Sequence, residues 1–329
     1  MTVPSPAYRR LALWTAAATF LLIVLGGVVR VSDSGLGCGP GGSGVNGWPL
    51  CRGDVVPGFS LHTAIEFAHR TVASIVVVEM IVLAVWAWRR YRAHRALVRA
   101  TGGAVLLIVA QAVLGAATVE QDLDEPLVAA HLGLAMLLFA VVLYIVRATR
   151  PDAPAVEARP GFRRHAVATQ VLLFGTIVAG GYMAGTERLG SSEQGLTDGA
   201  HHACGTQFPS CNDAFLPFGH NRSVDIHLTH RVFVYLFSVA VIALIVMALR
   251  RRLGGTVGRA AWALAGLLVL QILLGAVNVW LSKEYELLIL AHLATATLLW
   301  GTLTVLNLQL YRIPAPVPEA ARRVQAVTA

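Results

Sequence analysis

The sequence is poor in charge. Only 13% of its 329 residues are Asp, Glu, Lys or Arg, whereas a soluble chain carries about 25%. That scarcity excludes the soluble two-domain protein that length alone would suggest. Acidic residues are the rarer sign, 18 against 26 basic, which leaves a net charge of +8. Cysteine is limited to four residues, Cys38 with Cys51 and Cys204 with Cys211, all in two segments. No A-x-A-like cleavage site follows the first apolar run, and the run is too long for a signal-peptide core.

What the sequence has instead is apolar residues in long runs. Hydrophobic residues make up 56% of the chain, and the mean hydropathy is +0.65. Eight runs stand out, at roughly 11–31, 61–88, 100–120, 126–146, 166–186, 224–249, 260–281 and 287–309. Each is close to the ~20 residues that cross a bilayer as a helix. The excess of basic residues is distributed by side. Arg89, Arg90 and Arg92 follow the second run, Arg147 and Arg150 the fourth, and Arg250, Arg251 and Arg252 the sixth. By the positive-inside rule both termini are expected on the cytoplasmic side of the cell membrane, in contact with lipid. The basic loops therefore report topology, and no nucleic-acid partner is expected. The segments 32–60 and 188–223 then face outward, where disulfides are permitted, and one bridge per loop is expected.

The strongest organisational signal is an internal repeat at an offset of about 160 residues. Ile65-Glu66-Phe67-Ala68-His69-Arg70 matches Ile226-His227-Leu228-Thr229-His230-Arg231. Gln111 to Ala116 matches Gln271 to Ala276, and Ala130-His131-Leu132 matches Ala291-His292-Leu293. Each copy spans four helices, an even number, so the copies share one orientation about an axis along the membrane normal. The expected fold is all-α: eight transmembrane helices as two pseudo-symmetric four-helix bundles. Residues 1–150 form the first unit, 151–164 a cytoplasmic linker and 165–329 the second unit.

Four histidines, His69, His131, His230 and His292, lie inside apolar runs and recur in matching pairs. An ionisable group within a membrane segment is a functional candidate by default. A single one would more simply be a neutral histidine bonded to a helix carbonyl. At about 1.5 Å per residue, His69 lies about 12 Å and His131 about 8 Å from the outer ends of their helices, so the two can meet. Two opposed imidazoles suit the axial positions of a heme iron, whereas zinc wants more ligands. Arg70 and Arg231 directly follow histidines, and either snorkels or pairs with heme propionates. His94 and His165 read as solvated, as do His201, His202 and His220, and so do Asp122, Asp124 and Glu125.

Glu66 is the asymmetry between the copies. It shares a helix face with His69, and its counterpart is His227. A carboxylate at this depth costs a few kcal/mol unless paired or protonated. It suits proton transfer, or else it is one half of an ion pair with Arg70 or Arg30. His62, one turn earlier, is a weak candidate for extending a proton path outward.

Together, Glu66-x-x-His69-Arg70, His131, His230, His292, Gly35-Leu36-Gly37-Cys38 and Trp48-Pro49-Leu50-Cys51 resemble the heme A synthase family over nearly the whole chain. The resemblance implies a membrane oxidoreductase for cytochrome c oxidase assembly. It would convert a ring methyl of heme O to the formyl group of heme A by successive hydroxylation and dehydration. It implies a substrate heme O between His69 and His131, with Glu66 acting on it, and a resident heme b on His230 and His292. Implied partners are heme O synthase, oxidase assembly factors and a quinone or other electron acceptor. One departure is a glycine-rich insertion, Gly39-Pro40-Gly41-Gly42-Ser43-Gly44, between Cys38 and Cys51, which is expected to loosen that loop. The competing functions are a diheme cytochrome b-type electron carrier and a repeat-built transporter. A carrier has no use for an acid in one unit only, and a transporter would place its charges near mid-membrane.

Overall fold

The computed structural model describes residues 3–58, 60–150, 155–186, 199–281 and 286–312. Among these residues the regular structure is helical: α1 (Pro6–Val31), α2 (Leu61–Arg90), α3 (Arg95–Glu120), α4 (Glu125–Ala148), α5 (Pro160–Gly185), α6 (Arg222–Arg250), α7 (Gly255–Leu281) and α8 (Glu286–Gln309). All eight are long and apolar enough to cross a membrane. The shortest, at 24 residues, rises about 36 Å at 1.5 Å per residue. The chain is thus a multi-pass membrane protein.

Local chemistry fixes where these helices begin. Ser5, Ser60 and Asn221 cap α1, α2 and α6 by accepting the backbone N–H of Tyr8, Thr63 and Val224. Each cap satisfies a donor that the first turn leaves open. Pro6, Pro126 and Pro160 open α1, α4 and α5, where a missing N–H is harmless. Basic residues close α2, α4 and α6, where a cation meets the negative end of the helix dipole.

The helices form two closed rings of four. In the first, α1 packs on α2, α2 on α3, α3 on α4 and α4 back on α1. In the second, α5, α6, α7 and α8 repeat that cycle. The rings meet along a seam where α4 packs on α5, α8 on α1 and α4 on α8. This is the set of neighbours that a pseudo-twofold relating tandem units requires. Trp300 ties the seam by donating its indole N–H to the Met136 carbonyl at 2.7 Å. Arg30 of α1 donates to the Ala184 carbonyl of α5 at 2.7 Å. Large apolar side chains lie exposed along α2, α3, α6 and α7, for example Val78, Leu106, Val239 and Val269. These helices form the lipid-facing sides.

Two expectations about histidines beside the basic loops are corrected. His94 is buried, not solvated: its Nδ1 caps α3 by accepting the Leu97 N–H, and its Nε2 lies 3.1 Å from the Ala148 carbonyl. That loop must satisfy a helix start beside the end of α4, and an imidazole serves both. Burial holds the His94 pKa below its ordinary value. His165 is partly buried, with Nε2 2.8 Å from the Ala240 carbonyl.

Candidate functional site

The four membrane histidines occupy opposite corners of their rings. His69 on α2 faces His131 on α4, and His230 on α6 faces His292 on α8, each pair within electrostatic reach. The other two corners bring glycine against the rings: Gly26 of α1 at His69, Gly115 of α3 at His131, Gly180 of α5 at His230 and Gly275 of α7 at His292. Among the described residues no cluster of three or more His, Cys, Asp or Glu is arranged for a metal ion.

The pairs fit a heme. The Nδ1 atoms of His69, His131 and His292 are buried without a hydrogen-bond partner, and a buried polar atom left so is costly unless it has a role. His230 differs: its Nδ1 lies 3.1 Å from the Thr176 carbonyl. Such a bond fixes the tautomer and turns Nε2 toward a metal. Gln111 donates to the His131 carbonyl at 2.9 Å, and the Gln271 amide lies 3.0 Å from His292 Nε2. The matched glutamines thus bond between helices, each to its own unit's second histidine.

Glu66 is 3% exposed. One oxygen accepts the Cys38 backbone N–H at 2.7 Å, and the other pairs with Arg70. The ion pair with Arg70 considered from the sequence is therefore present, one helical turn away. Arg70 also donates to the Gly47 and Leu50 carbonyls at 2.6 and 3.0 Å. Arg231 does the equivalent, donating to Ser210 and Gln207 at 2.8 Å each and to Pro209 at 3.3 Å. Both arginines thus grip the cysteine-bearing loop of their own unit. His62, considered for an outward proton path, is exposed, and its Nδ1 lies 2.9 Å from the Ser32 carbonyl.

Both loops carry the expected disulfide, Cys38–Cys51 and Cys204–Cys211. Each second cysteine follows a cis aromatic–proline peptide, Trp48-Pro49 or Phe208-Pro209. The second of these motifs was missed in the sequence, although Phe208-Pro209-Ser210-Cys211 stands at the repeat offset from Trp48. The glycine-rich insertion is pinned rather than loose. Gly41 donates its N–H to Asp122 at 2.8 Å, and Gly44 donates to Glu120 at 3.4 Å. A Cβ on Gly41 would meet Asp122 Oδ1 at 2.6 Å, so this docking needs a glycine. Asp122 is accordingly a tether, and Glu125 is buried beside Arg222, with N···O of 3.6 Å, rather than solvated.

Comparison with known proteins identifies the family. A family model described as cytochrome oxidase assembly protein matches residues 56–304. The heme A synthase of Alkalihalophilus pseudofirmus is 28% identical over 313 residues, 93% of this chain and 99% of that protein. The heme A synthase of Symbiobacterium thermophilum is 30% identical over 312 residues, 91% and 94% of the two chains. That of Halalkalibacterium halodurans is 28% identical over 242 residues, 72% and 74%. The matched span holds all four membrane histidines, Glu66 and both loop arginines, and the chain belongs to the cytochrome oxidase assembly protein family.

Proposed function

We propose that this protein is a heme A synthase, a membrane oxidoreductase that converts heme O to heme A for cytochrome c oxidase assembly. The observation that carries the reading is the buried carboxylate of Glu66 beside the first histidine pair, at the position where the second unit has His227. The first unit, residues 1–150, takes heme O as substrate between His69 and His131. The second, 165–329, holds a resident heme b on His230 and His292, across a cytoplasmic linker at 151–164. The bond from His230 to the Thr176 carbonyl supports this division, because it pre-orients a ligand in the unit meant to keep its heme.

Heme b, when bound, supplies one-electron transfer. The chain's own residues handle position and protons. His69 and His131 fix the porphyrin in the outer half of the membrane. Glu66 accepts a proton released as the substrate methyl is hydroxylated, or stabilises positive charge that develops there. Arg70 and the Cys38 amide hold its two oxygens in place. A second hydroxylation gives a gem-diol, which loses water to leave the formyl group. Each hydroxylation takes its oxygen from water and releases two protons and two electrons, and the electrons leave to a quinone or similar acceptor. The arginines that follow α2, α4 and α6 support both termini on the cytoplasmic side of the cell membrane.

Pigment extracted from cells that express the chain and make heme O should contain heme A. With Glu66→Gln, conversion should stop while heme b remains bound to the purified protein. Extracts that never contain heme A, despite available heme O, overturn the proposal.

A further inference from the structure

Four glycines touch the four histidine rings, and each touches the same atom. A Cβ built on Gly180 would stand 2.9 Å from His230 Cε1, on Gly115 3.0 Å from His131 Cε1, on Gly275 3.2 Å from His292 Cε1 and on Gly26 3.4 Å from His69 Cε1. Gly26 and Gly180 share one register of α1 and α5, twenty residues after Pro6 and Pro160, and Gly115 and Gly275 share one register of α3 and α7. The contact therefore recurs at all four corners of a duplicated design, on helices that carry no ligand themselves.

Cε1 is the ring carbon between the two nitrogens. A methyl group pressed against it turns or pushes the edge that carries both Nδ1 and Nε2. At Gly180 the added carbon would also lie 3.3 Å from Nδ1 and 3.6 Å from Nε2. In a protein without a bound metal, an imidazole could yield by a small rotation. A ligating imidazole has less freedom, because its nitrogen must stay within about 0.2 Å of the bonding distance for the site to count as ligated. His230 has still less room to yield, because its Nδ1 is bonded to the Thr176 carbonyl. At 3.4 Å the Gly26 contact is ordinary van der Waals spacing, and an alanine fits there.

We infer that Gly115, Gly180 and Gly275 are positioning residues that set the reach of the axial histidines, with Gly26 the most permissive of the four notches. The inference rests on the bis-histidine heme reading given above. Its distinctive content is a rank order: alanine disrupts ligation most at Gly180 and Gly115, less at Gly275, and least at Gly26.

The test is hemin titration of purified full-length protein in detergent, read by the low-spin bis-imidazole absorption and electron paramagnetic resonance signals. Gly180→Ala and Gly115→Ala should each convert one site to a high-spin or unbound state. Gly275→Ala should bind with weakened affinity, and Gly26→Ala should match the parent. Gly266→Ala, on α7 with nothing within 4 Å of the added carbon, controls for alanine in a membrane helix. If Gly180→Ala does not fold, Gly115→Ala and Gly275→Ala carry the same ordering. His230→Ala separates the two levels. If that variant keeps both low-spin signals, the ligand assignment fails. If it loses one while Gly180→Ala and Gly115→Ala keep both, the glycine inference fails.

Discussion

The two units match at their membrane histidines and the arginines that follow them, and differ at one buried position beside them. Glu66 and His227 occupy equivalent buried positions, three residues before a membrane histidine and four before a loop-gripping arginine. Glu66 accepts a backbone N–H from its cysteine-bearing loop, whereas His227 Nδ1 lies 2.9 Å from a carbonyl, that of Ala200. The loops thus present opposite backbone groups to the same helix position. A duplicated frame can keep its ligands, its disulfides and its arginine clamps while one side chain changes the chemistry available at one centre.

The comparison can be broken at several places. The largest effect is expected at Glu66: Glu66→Gln should lower heme A formation by at least about a hundredfold, the lower end for a positioned acid–base group. His227→Gln should leave conversion within a few-fold of the parent, as measured by pigment analysis. Next, His230→Ala should remove the heme that co-purifies with the protein, whereas His69→Ala should retain it. Equal loss from both variants would abolish the division between substrate and resident sites.

A smaller effect is expected at the clamps. Arg231→Ala leaves three loop carbonyls without their donor, which should destabilise the protein by about 1–3 kcal/mol. Arg70→Ala should cost a similar amount and also slow conversion, because it releases Glu66. Thermal unfolding beside pigment analysis separates the two effects.

The smallest effect concerns pH. His94 caps α3, while α7 begins at Gly255 after a glycine at the matching place. Burial lowers the His94 pKa in the folded state, so the unfolded chain binds more protons as acidity rises. The stability it contributes is full above about pH 6.5, the ordinary histidine value, and is lost as pH falls below it. Tm measured from neutral to mildly acidic pH should fall less in a His94→Asn variant than in the parent.

The repeat was legible because its signals are identities at fixed spacing: His69 with His230, His131 with His292, and Gln111 with Gln271. The spans were legible because hydrocarbon demands unbroken apolar length. Contacts decided by approach rather than residue type were not. Nothing in the composition shows that Gly26 or Gly180 lies under a ring, because helices far apart in sequence create the contact. The loops were misjudged for a related reason. Glycine in the first loop suggests looseness, but Gly41 is the one residue that lets the backbone reach Asp122. His94 looked solvated because its neighbours are basic, yet packing against the end of α4 determines its environment.

The seam also determines traffic. The first ring gives two of its four walls to its twin, since α1 packs on α8 and α4 packs on α5 and α8. A bulky amphiphile exchanging with the bilayer can reach the first unit only past α2 or α3, on the side remote from the second. The shared walls differ in kind: α4 and α8 each carry one of the membrane histidines and pack directly on one another, with Trp300 bonded to the Met136 carbonyl. Under the heme A synthase proposal, entry from the lipid and passage of electrons between the two centres fall on opposite sides of the same bundle.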